Sequence, residues 1–554
     1  MKISSRIKWM GLASLLAVLF MACSFSSTPM PSSTLPTGTL PSGTLLSGTL
    51  PSTPVTIATQ TAPMPVPAAL TVPAGARQLT LTPTGASRQL PANILGGSVE
   101  AMIEQLLDNP QKIAAIQQTA PGVIRFPGGS QSNYYNWQTG LLDFNPLPNS
   151  SAYYKFWAGV APKIARAFPN GVHMEQYQSM AAQIGADVIL VPNMETSSVS
   201  QQAAWFTQLA AGHALPKNIE LGNEFYIAMA GDPNVMRIWP DEPTSLAVMK
   251  QYEQALQPIV GAGAKFAVQS AGAAFTIPPT ATSKFQQRLL AWDQALAPAD
   301  WFQAVTIHLY PDPAQMIQQA GNPGPAREFQ LFMGKADAGV DRALSDLARR
   351  VPGKEIWITE WSPRGGNFAD TFGQPDLVPP QMNAQLVARE TLAFLRQPAV
   401  TQALYFTLNA DSNSVFRAYV QDSAGNYLPM PATVVLQWFD QAANDNSTFQ
   451  RLVDSTSLPV SGLGEFSESY NPVEGGLFNS AKGTTLIIQN ASSETRWYDP
   501  ATQSQKNAPT SVELLVADNF TSTAYDPAPV QNLDPHAPIL IPPFSILRVL
   551  WATP

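Results

Sequence analysis

From Asn93 to about Ala443 the chain alternates short, β-rich runs with longer runs of helical character. The short runs are Asn93–Gly96, Val123–Pro127, Asp187–Pro192, Asn218–Gly222, Lys265–Gln269, Phe302–Leu309, Glu355–Thr359 and Gln402–Thr407. Most are nearly unbroken apolar stretches, the pattern of a strand covered on both faces. The longer runs are Val99–Gln118, Met174–Ile184, Val199–Ala211, Ser245–Gly261, Ser283–Ala295, Lys335–Arg350, Pro380–Arg396 and Ala432–Ala443, each mixing apolar and polar positions as a half-buried helix does. Thr244 or Ser245 is expected to cap its helix, and Gly261 with Gly263 to end it.

Eight strand–helix alternations predict an α/β protein with a (β/α)8 TIM barrel. The span exceeds the ~250 residues usual for that barrel, so insertions are expected at Asn133–Tyr154, Phe225–Asp241 and Pro311–Met333. A doubly wound open sheet is disfavoured, because no Gly-x-Gly-x-x-Gly turn follows the first strand. Beyond about Asn444 the pattern changes. Val473–Phe478, Thr484–Gln489, Val512–Val516 and Ile539–Leu550 read as strands between turn residues. They predict a C-terminal β-sandwich, joined by the strand-like Leu79–Thr82 from ahead of the barrel.

The N-terminal region obeys neither pattern. Lys2, Arg6 and Lys8 precede an apolar run from Trp9 to Ala22, which reads as an export signal and is too short for a comfortable membrane span. It ends Leu19-Phe20-Met21-Ala22-Cys23, similar to a bacterial lipoprotein signal with Cys23 as the lipidated residue. Ser24 to Ala76 holds ten prolines and no charged residue, with Thr-Leu recurring every five residues from Thr34 to Leu50. Such a tract buries too little apolar area to offset its chain entropy and is read as a tether. The expected organisation is a signal at 1–22, a tether at 23–75, a joining strand at 76–92, the barrel at 93–445 and the sandwich at 446–554. The protein is placed outside the cytoplasm, as a cell-envelope lipoprotein or a secreted protein that meets a membrane only through its lipid.

Composition narrows the chemistry. Of 554 residues 13% are charged and the net charge is −8, which disfavours a broad nucleic-acid-binding face. One cysteine excludes an internal disulfide framework and any cysteine-rich metal site. His173, His213, His308 and His536 are too scattered for a His-x-x-x-His metal pair. No metal and no cofactor is expected, and the chain is expected to act as a monomer.

In a (β/α)8 enzyme the chemistry sits at the C-terminal ends of the strands. The fourth run ends Glu220-Leu221-Gly222-Asn223-Glu224 and the seventh Ile356-Trp357-Ile358-Thr359-Glu360. The sixth ends His308-Leu309-Tyr310 and the second Arg125-Phe126-Pro127-Gly128-Gly129. Two glutamates on roughly opposite strands suit glycoside hydrolysis, in which one carboxyl protonates the leaving oxygen and the other, ionised, attacks the anomeric carbon. Glu195 falls just past the third strand, where it could serve a subsite; Glu220 and Glu355 fall short of their strand ends and are expected deeper or at the bottom.

These motifs resemble clan A glycoside hydrolases, the superfamily of retaining (β/α)8 glycosidases. In that clan an Asn-Glu pair ends strand four and a Glu ends strand seven, as Asn223-Glu224 and Glu360 do. The run from Glu220 to Glu224 resembles heparanase and its family-79 relatives; the run from Arg125 to Gly129 is similar to family-51 arabinofuranosidases. Phe225 departs from both, standing where they usually carry proline. The resemblance implies Glu224 as acid/base and Glu360 as nucleophile. It implies Asn223 on the sugar 2-hydroxyl, Tyr310 on Glu360, His308 orienting the site, and Arg125 beneath the nucleophile. The substrate class implied is an oligo- or polysaccharide, a β-glycoside such as a glucuronide or an α-L-arabinofuranoside or xyloside. A carbohydrate-binding lipoprotein without turnover is the alternative. Tyr134, Tyr135, Trp137, Phe225, Tyr226 and Trp361 cluster near the strand ends; Tyr226 and Trp361 in particular are candidate sugar platforms. Arg364 is a candidate partner for a substrate carboxylate.

Overall fold

The computed structural model describes residues 76–552 apart from 103–105, 108, 145–151, 227–238, 240, 273–283, 312–320, 322–323, 364–377, 410–417, 464–467, 501–507 and 517–525. Cys23, the signal, the tether and Arg364 lie outside the described residues. Eight parallel strands close into a barrel. They are β1 Leu95–Ser98, β2 Val123–Phe126, β3 Asp187–Leu190, β4 Asn218–Glu220, β5 Lys265–Gln269, β6 Ala304–Leu309, β7 Glu355–Trp361 and β8 Val400–Tyr405. They neighbour one another in chain order, and β8 pairs with β1.

Alternation along each strand sorts the side chains. Val123, Ile189, Ala267, Ala304, Trp357 and Leu404 meet in a small cluster of their own inside the barrel. Their outward neighbours, among them Ile124, Ile219, Val305 and Ile358, join the large core beneath the helices. The interior is therefore a packed floor, and the next inward positions of β2, β5, β6 and β7, toward the C-terminal ends, are the polar Arg125, Gln269, Thr306 and Thr359.

Helix boundaries depart from expectation where capping chemistry overrides the apolar pattern. The first helix runs Pro110–Thr119 rather than from Val99, because Asn109 accepts from the Lys112 amide and Pro110 takes the first turn. The fourth expected helix runs Glu242–Val260, capped by Asp241, which accepts from the Thr244 amide, and not by Thr244 or Ser245. Lys335–Arg350 begins as a π-helical turn, Lys335–Gly339, continuous with Pro325–Gly334 before it. The expected insertion at Asn133–Tyr154 contains a hairpin of Tyr135–Asn136 with Leu141–Leu142 and runs into a further helix, Ala152–Ala167.

A seven-stranded sheet and a three-stranded sheet form the sandwich. Its core joins Leu452, Val473, Leu486, Ile488, Val512, Leu547 and Val549 of the large sheet to Tyr498, Ile539 and Ile541 of the small one. The expected strand Ile539–Leu550 is two, Ile539–Ile541 and Ser545–Ala552, one in each sheet. Pro542 and Pro543 lie between them and offer no ladder donors. The segment ahead of the barrel joins as expected, but as Leu81–Gln89, at one edge of the large sheet beside Thr448–Asp454.

The large sheet lies against the helices Pro380–Arg396 and Pro431–Ala443, with Phe449 and Phe478 in the barrel's core cluster. An ionic joint reinforces that seam. Glu474 of the sandwich accepts from Arg389 (2.7 Å), Arg396 (3.0 Å) and Arg451 (2.9 and 2.8 Å), and Arg389 also reaches Asp337 at 3.1 Å.

Candidate active site

The polar layer above the barrel floor is organised around Arg125, the inward residue of β2, which is wholly buried. Its Nε donates to Glu220 Oε2 at 2.7 Å, its Nη1 to Glu360 Oε1 at 2.5 Å and its Nη2 to Asn223 Oδ1 at 2.8 Å. One rigid fork therefore ties β2 to β4, β7 and the loop after β4. Because Asn223 Oδ1 accepts from Arg125, its amide nitrogen is left as a donor, 3.5 Å from Ser130 Oγ. Asn133 fixes the Asn223 backbone from both sides, accepting its N–H at 3.3 Å and donating to its carbonyl at 3.0 Å.

Two glycines let the carboxylates approach this fork. A Cβ on Gly129 would lie 2.7 Å from Glu360 Oε1, and one on Gly128 would collide with the Glu100 carboxylate. Glu360 itself is turned inward by an irregularity in β7. Ile307 pairs with Ile358 but His308 with Glu360, so Thr359 is an extra residue in the ladder. Such a bulge re-aims side chains, and here both Thr359 and Glu360 contribute to the site. In the loop after β4, Gly222 has φ +80°, and a Cβ there would strike the Phe225 ring. Glu224 sits at φ +51° in the left-handed region, an uncommon conformation for a residue with a side chain.

The sixth strand supplies the link between the two glutamates. His308 Nδ1 lies 2.7 Å from Glu224 Oε1 and 3.6 Å from Glu360 Oε2. One carboxylate oxygen of each glutamate and a ring nitrogen of His308 all lie within 4.8 Å of one another. Tyr310 donates to Glu360 Oε2 at 2.6 Å. Burial works against ionisation of Glu360, but the charges of His308 and Arg125 and the hydrogen bonds from Tyr310 and Arg125 outweigh it and hold its pKa below the ordinary value. Burial also disfavours a charged His308, yet Glu360 and the bond to Glu224 raise its pKa overall. The Tyr310 hydroxyl is pushed well above its usual range, by burial first and then by the negative charge of Glu360; it remains a donor.

Glu224, Glu360, Asn223, His308, Tyr310 and Arg125 thus converge. Trp361 does not, and its reading as a sugar platform is corrected. It is 1% exposed, with Phe394 and Tyr405 edge-on at 4.9 and 5.2 Å. With Glu360 turned inward, the next residue faces the helices. Tyr134, Tyr135 and Phe225 are likewise core residues, and Phe225 stacks on Trp239 at 3.9 Å. Tyr226 is also buried, edge-on to Trp292 at 6.1 Å, although the charges of Glu224 and Glu360 bear on its hydroxyl. Its ring is packed rather than presented. Phe225 explains its own departure from proline: its amide donates to Gln269 Oε1 at 2.9 Å, a bond proline lacks.

Three site residues escaped the sequence reading. Glu220 was expected deep in the barrel, and it is, but it belongs to the charge network. Thr359 donates to Glu220 Oε1 at 3.0 Å and stands 3.2 Å from His308 Nε2. Glu100, two residues beyond β1, accepts from Ser98 at 2.8 Å and Gln131 at 2.7 Å; burial and Glu360 push its pKa up to about 7. Its place just past a strand end was the available signal.

The fold and these groups define a (β/α)8 barrel with paired carboxylates at its mouth. No family model matches the chain, and no curated protein does. Solved structures match it in fold. A family 51 α-L-arabinofuranosidase from Bifidobacterium longum superposes with a TM-score of 0.60 at 15% identity, covering 87% of this chain and 100% of its own. A family 51 arabinofuranosidase from Xanthomonas axonopodis pv. citri gives 0.59 at 13% identity, covering 85% and 100%. A 4-O-α-L-rhamnosyl-β-D-glucuronidase from Fusarium oxysporum gives 0.52 at 12%, covering 86% and 100%. These extend the family-51 resemblance to the fold, while the heparanase resemblance rests on the run from Glu220 to Glu224.

Proposed function

We propose that this protein is a retaining glycoside hydrolase of clan A type, with Glu224 as acid/base and Glu360 as nucleophile. The observation that carries the proposal is the close approach of the two carboxylates, one oxygen of each lying within 4.8 Å of the other and of a ring nitrogen of His308. A retaining enzyme needs roughly 5–5.5 Å between its carboxyl groups, whereas an inverting one needs roughly 6.5–9.5 Å to seat a water. The environments divide the roles. The charges of His308 and Arg125 and the Tyr310 hydroxyl favour the ionised form of Glu360, as a nucleophile requires. Glu224 faces a ring nitrogen, a partner that can hold or return a proton. In the first step Glu224 protonates the leaving oxygen while Glu360 forms the bond to the anomeric carbon. In the second, water attacks that carbon, Glu224 takes the water's proton and Glu360 leaves. Asn223 presents its amide nitrogen to a sugar hydroxyl.

The proposed substrates are glycosides of plant or microbial polysaccharides. α-L-Arabinofuranosides are the first to test, given the family 51 structures, and β-glucuronides the second. The protein is proposed to act as a monomer, outside the cytoplasm and lipid-anchored through Cys23. Turnover of an aryl-glycoside panel by wild type, Glu224→Gln and Glu360→Gln tests the assignment. Each variant should lose most activity on any substrate accepted, with retained anomeric configuration in the wild-type product. Wild-type-like turnover in either variant sinks the assignment, and saturable binding without hydrolysis supports the non-catalytic alternative.

A further inference from the structure

We propose that Thr359 and Glu220 are positioning residues that hold His308 in the Nε2–H tautomer, so that its Nδ1 is an acceptor for the acid proton of Glu224. Glu220 is wholly buried and paired with the Arg125 guanidinium at 2.7 Å. Paired in this way it accepts hydrogen bonds and has none to give. Thr359 has one hydroxyl hydrogen, directed to Glu220 Oε1 at 3.0 Å. Toward His308 Nε2, 3.2 Å away, that hydroxyl can then only accept. The ring hydrogen sits on Nε2, and in the neutral ring Nδ1 carries a lone pair.

That lone pair points at Glu224 Oε1, 2.7 Å away. The contact is favourable only when a hydrogen lies between the two atoms, on Oε1 or on Nδ1. Removing it leaves two lone pairs facing each other in a part-buried site. The other charged groups about the ring are Glu360 at 3.6 Å and Glu220 at 4.0 Å, with Arg125 and Tyr310 behind Glu360. The two additional carboxylates also oppose loss of the proton, and the guanidinium favours it. If the ring could carry its hydrogen on Nδ1 instead, it would donate to an ionised Glu224, which then has no proton for a leaving group. The Thr359 hydroxyl closes that route without contributing a charge of its own.

The catalytic consequence rests on the glycosidase reading, but the tautomer does not, and the test separates them. The first arm is 15N spectroscopy of the full chain labelled at histidine, at a pH where the ring is neutral, with His308→Gln assigning the signal. Wild type should show a pyrrole-like Nε2 and a pyridine-like Nδ1, and Thr359→Val should relax this preference. The second arm is the pH profile of kcat/KM. Thr359→Val should bring the alkaline limb down by about one pH unit, or tenfold in rate on that limb. Thr359→Ser, which keeps the hydroxyl, should restore it. A neutral wild-type ring protonated at Nδ1 overturns the proposal whatever the enzyme hydrolyses. So does a Thr359→Val protein with unaltered ring signals and an unmoved limb. Absence of turnover on every glycoside would sink the assigned function and leave the spectroscopic arm to decide the tautomer.

Discussion

Nη1 of Arg125 lies 2.5 Å from Oε1 of Glu360, and both residues are buried. The same guanidinium holds Glu220 and Asn223, so it balances charge and sets geometry at once. Arg125→Lys keeps the charge but loses the fork, and one ammonium cannot span three partners. The expected result is a fall in kcat of about 100-fold, the scale of a lost preorganised donor, with folding retained. Steady-state kinetics alongside a thermal melt checks it.

Tyr310→Phe removes the 2.6 Å hydrogen bond to Glu360 and keeps the ring. That bond favours the carboxylate, so its loss raises the nucleophile's pKa. The acidic limb of the pH profile should move upward, and kcat at neutral pH should fall about 10- to 100-fold, the range for a hydrogen bond to a charged group. An unmoved acidic limb would contradict the role given to this hydroxyl.

Trp361 separates core from platform. Trp361→Ala should cost about 3–5 kcal/mol of stability by opening a cavity between Phe394 and Tyr405. Trp361→Phe should cost less, and in it KM should stay at the wild-type value. A raised KM in Trp361→Phe with unchanged stability would restore the platform reading.

Glu390 lies on Pro380–Arg396, fully buried, and neither oxygen has a hydrogen-bond partner among the described residues. Burial raises its pKa well above the ordinary value. The folded chain therefore keeps a proton that an unfolded chain releases near pH 4. Its contribution is unimpaired below about pH 4 and declines as pH rises toward the folded value. Glu390→Met removes the group at similar volume, so it should raise the melting temperature at pH 8 and leave it nearly unchanged at pH 4. Calorimetry at the two pH values reads the difference.

All eight barrel strands were legible, because a buried parallel strand is a short apolar run bounded by turn residues, and the eight runs found are the eight strands of the barrel. The six converging site residues were legible as strand ends. What stayed hidden depends on partners distant in the chain. Glu220 looked too early in its run to matter, and only Thr359 from β7 and Arg125 from β2 make it part of the site. The extra residue in β7 has no sequence signal, yet it decides that Glu360 faces in and Trp361 faces out. Asn109 carried a capping signal that the apolar run from Val99 masked, and Asp241 one that the hydroxyls of Thr244 and Ser245 masked.

The strand Leu81–Gln89 has its partner at Thr448–Asp454, on the far side of the whole barrel in sequence. During synthesis it emerges before any part of the barrel and its partner strand does not exist until the whole barrel has been made. Its placement carries the loop-closure cost of everything between, unless the barrel forms first and brings the ends together. Assembly therefore favours barrel before clasp, and a strand made ahead of the barrel is among the last to lock. Shortening the chain at either end then removes the same piece of structure: loss of Leu81–Gln89 exposes the edge of Thr448–Asp454, and loss of the C-terminal sheet strands the first segment unpaired.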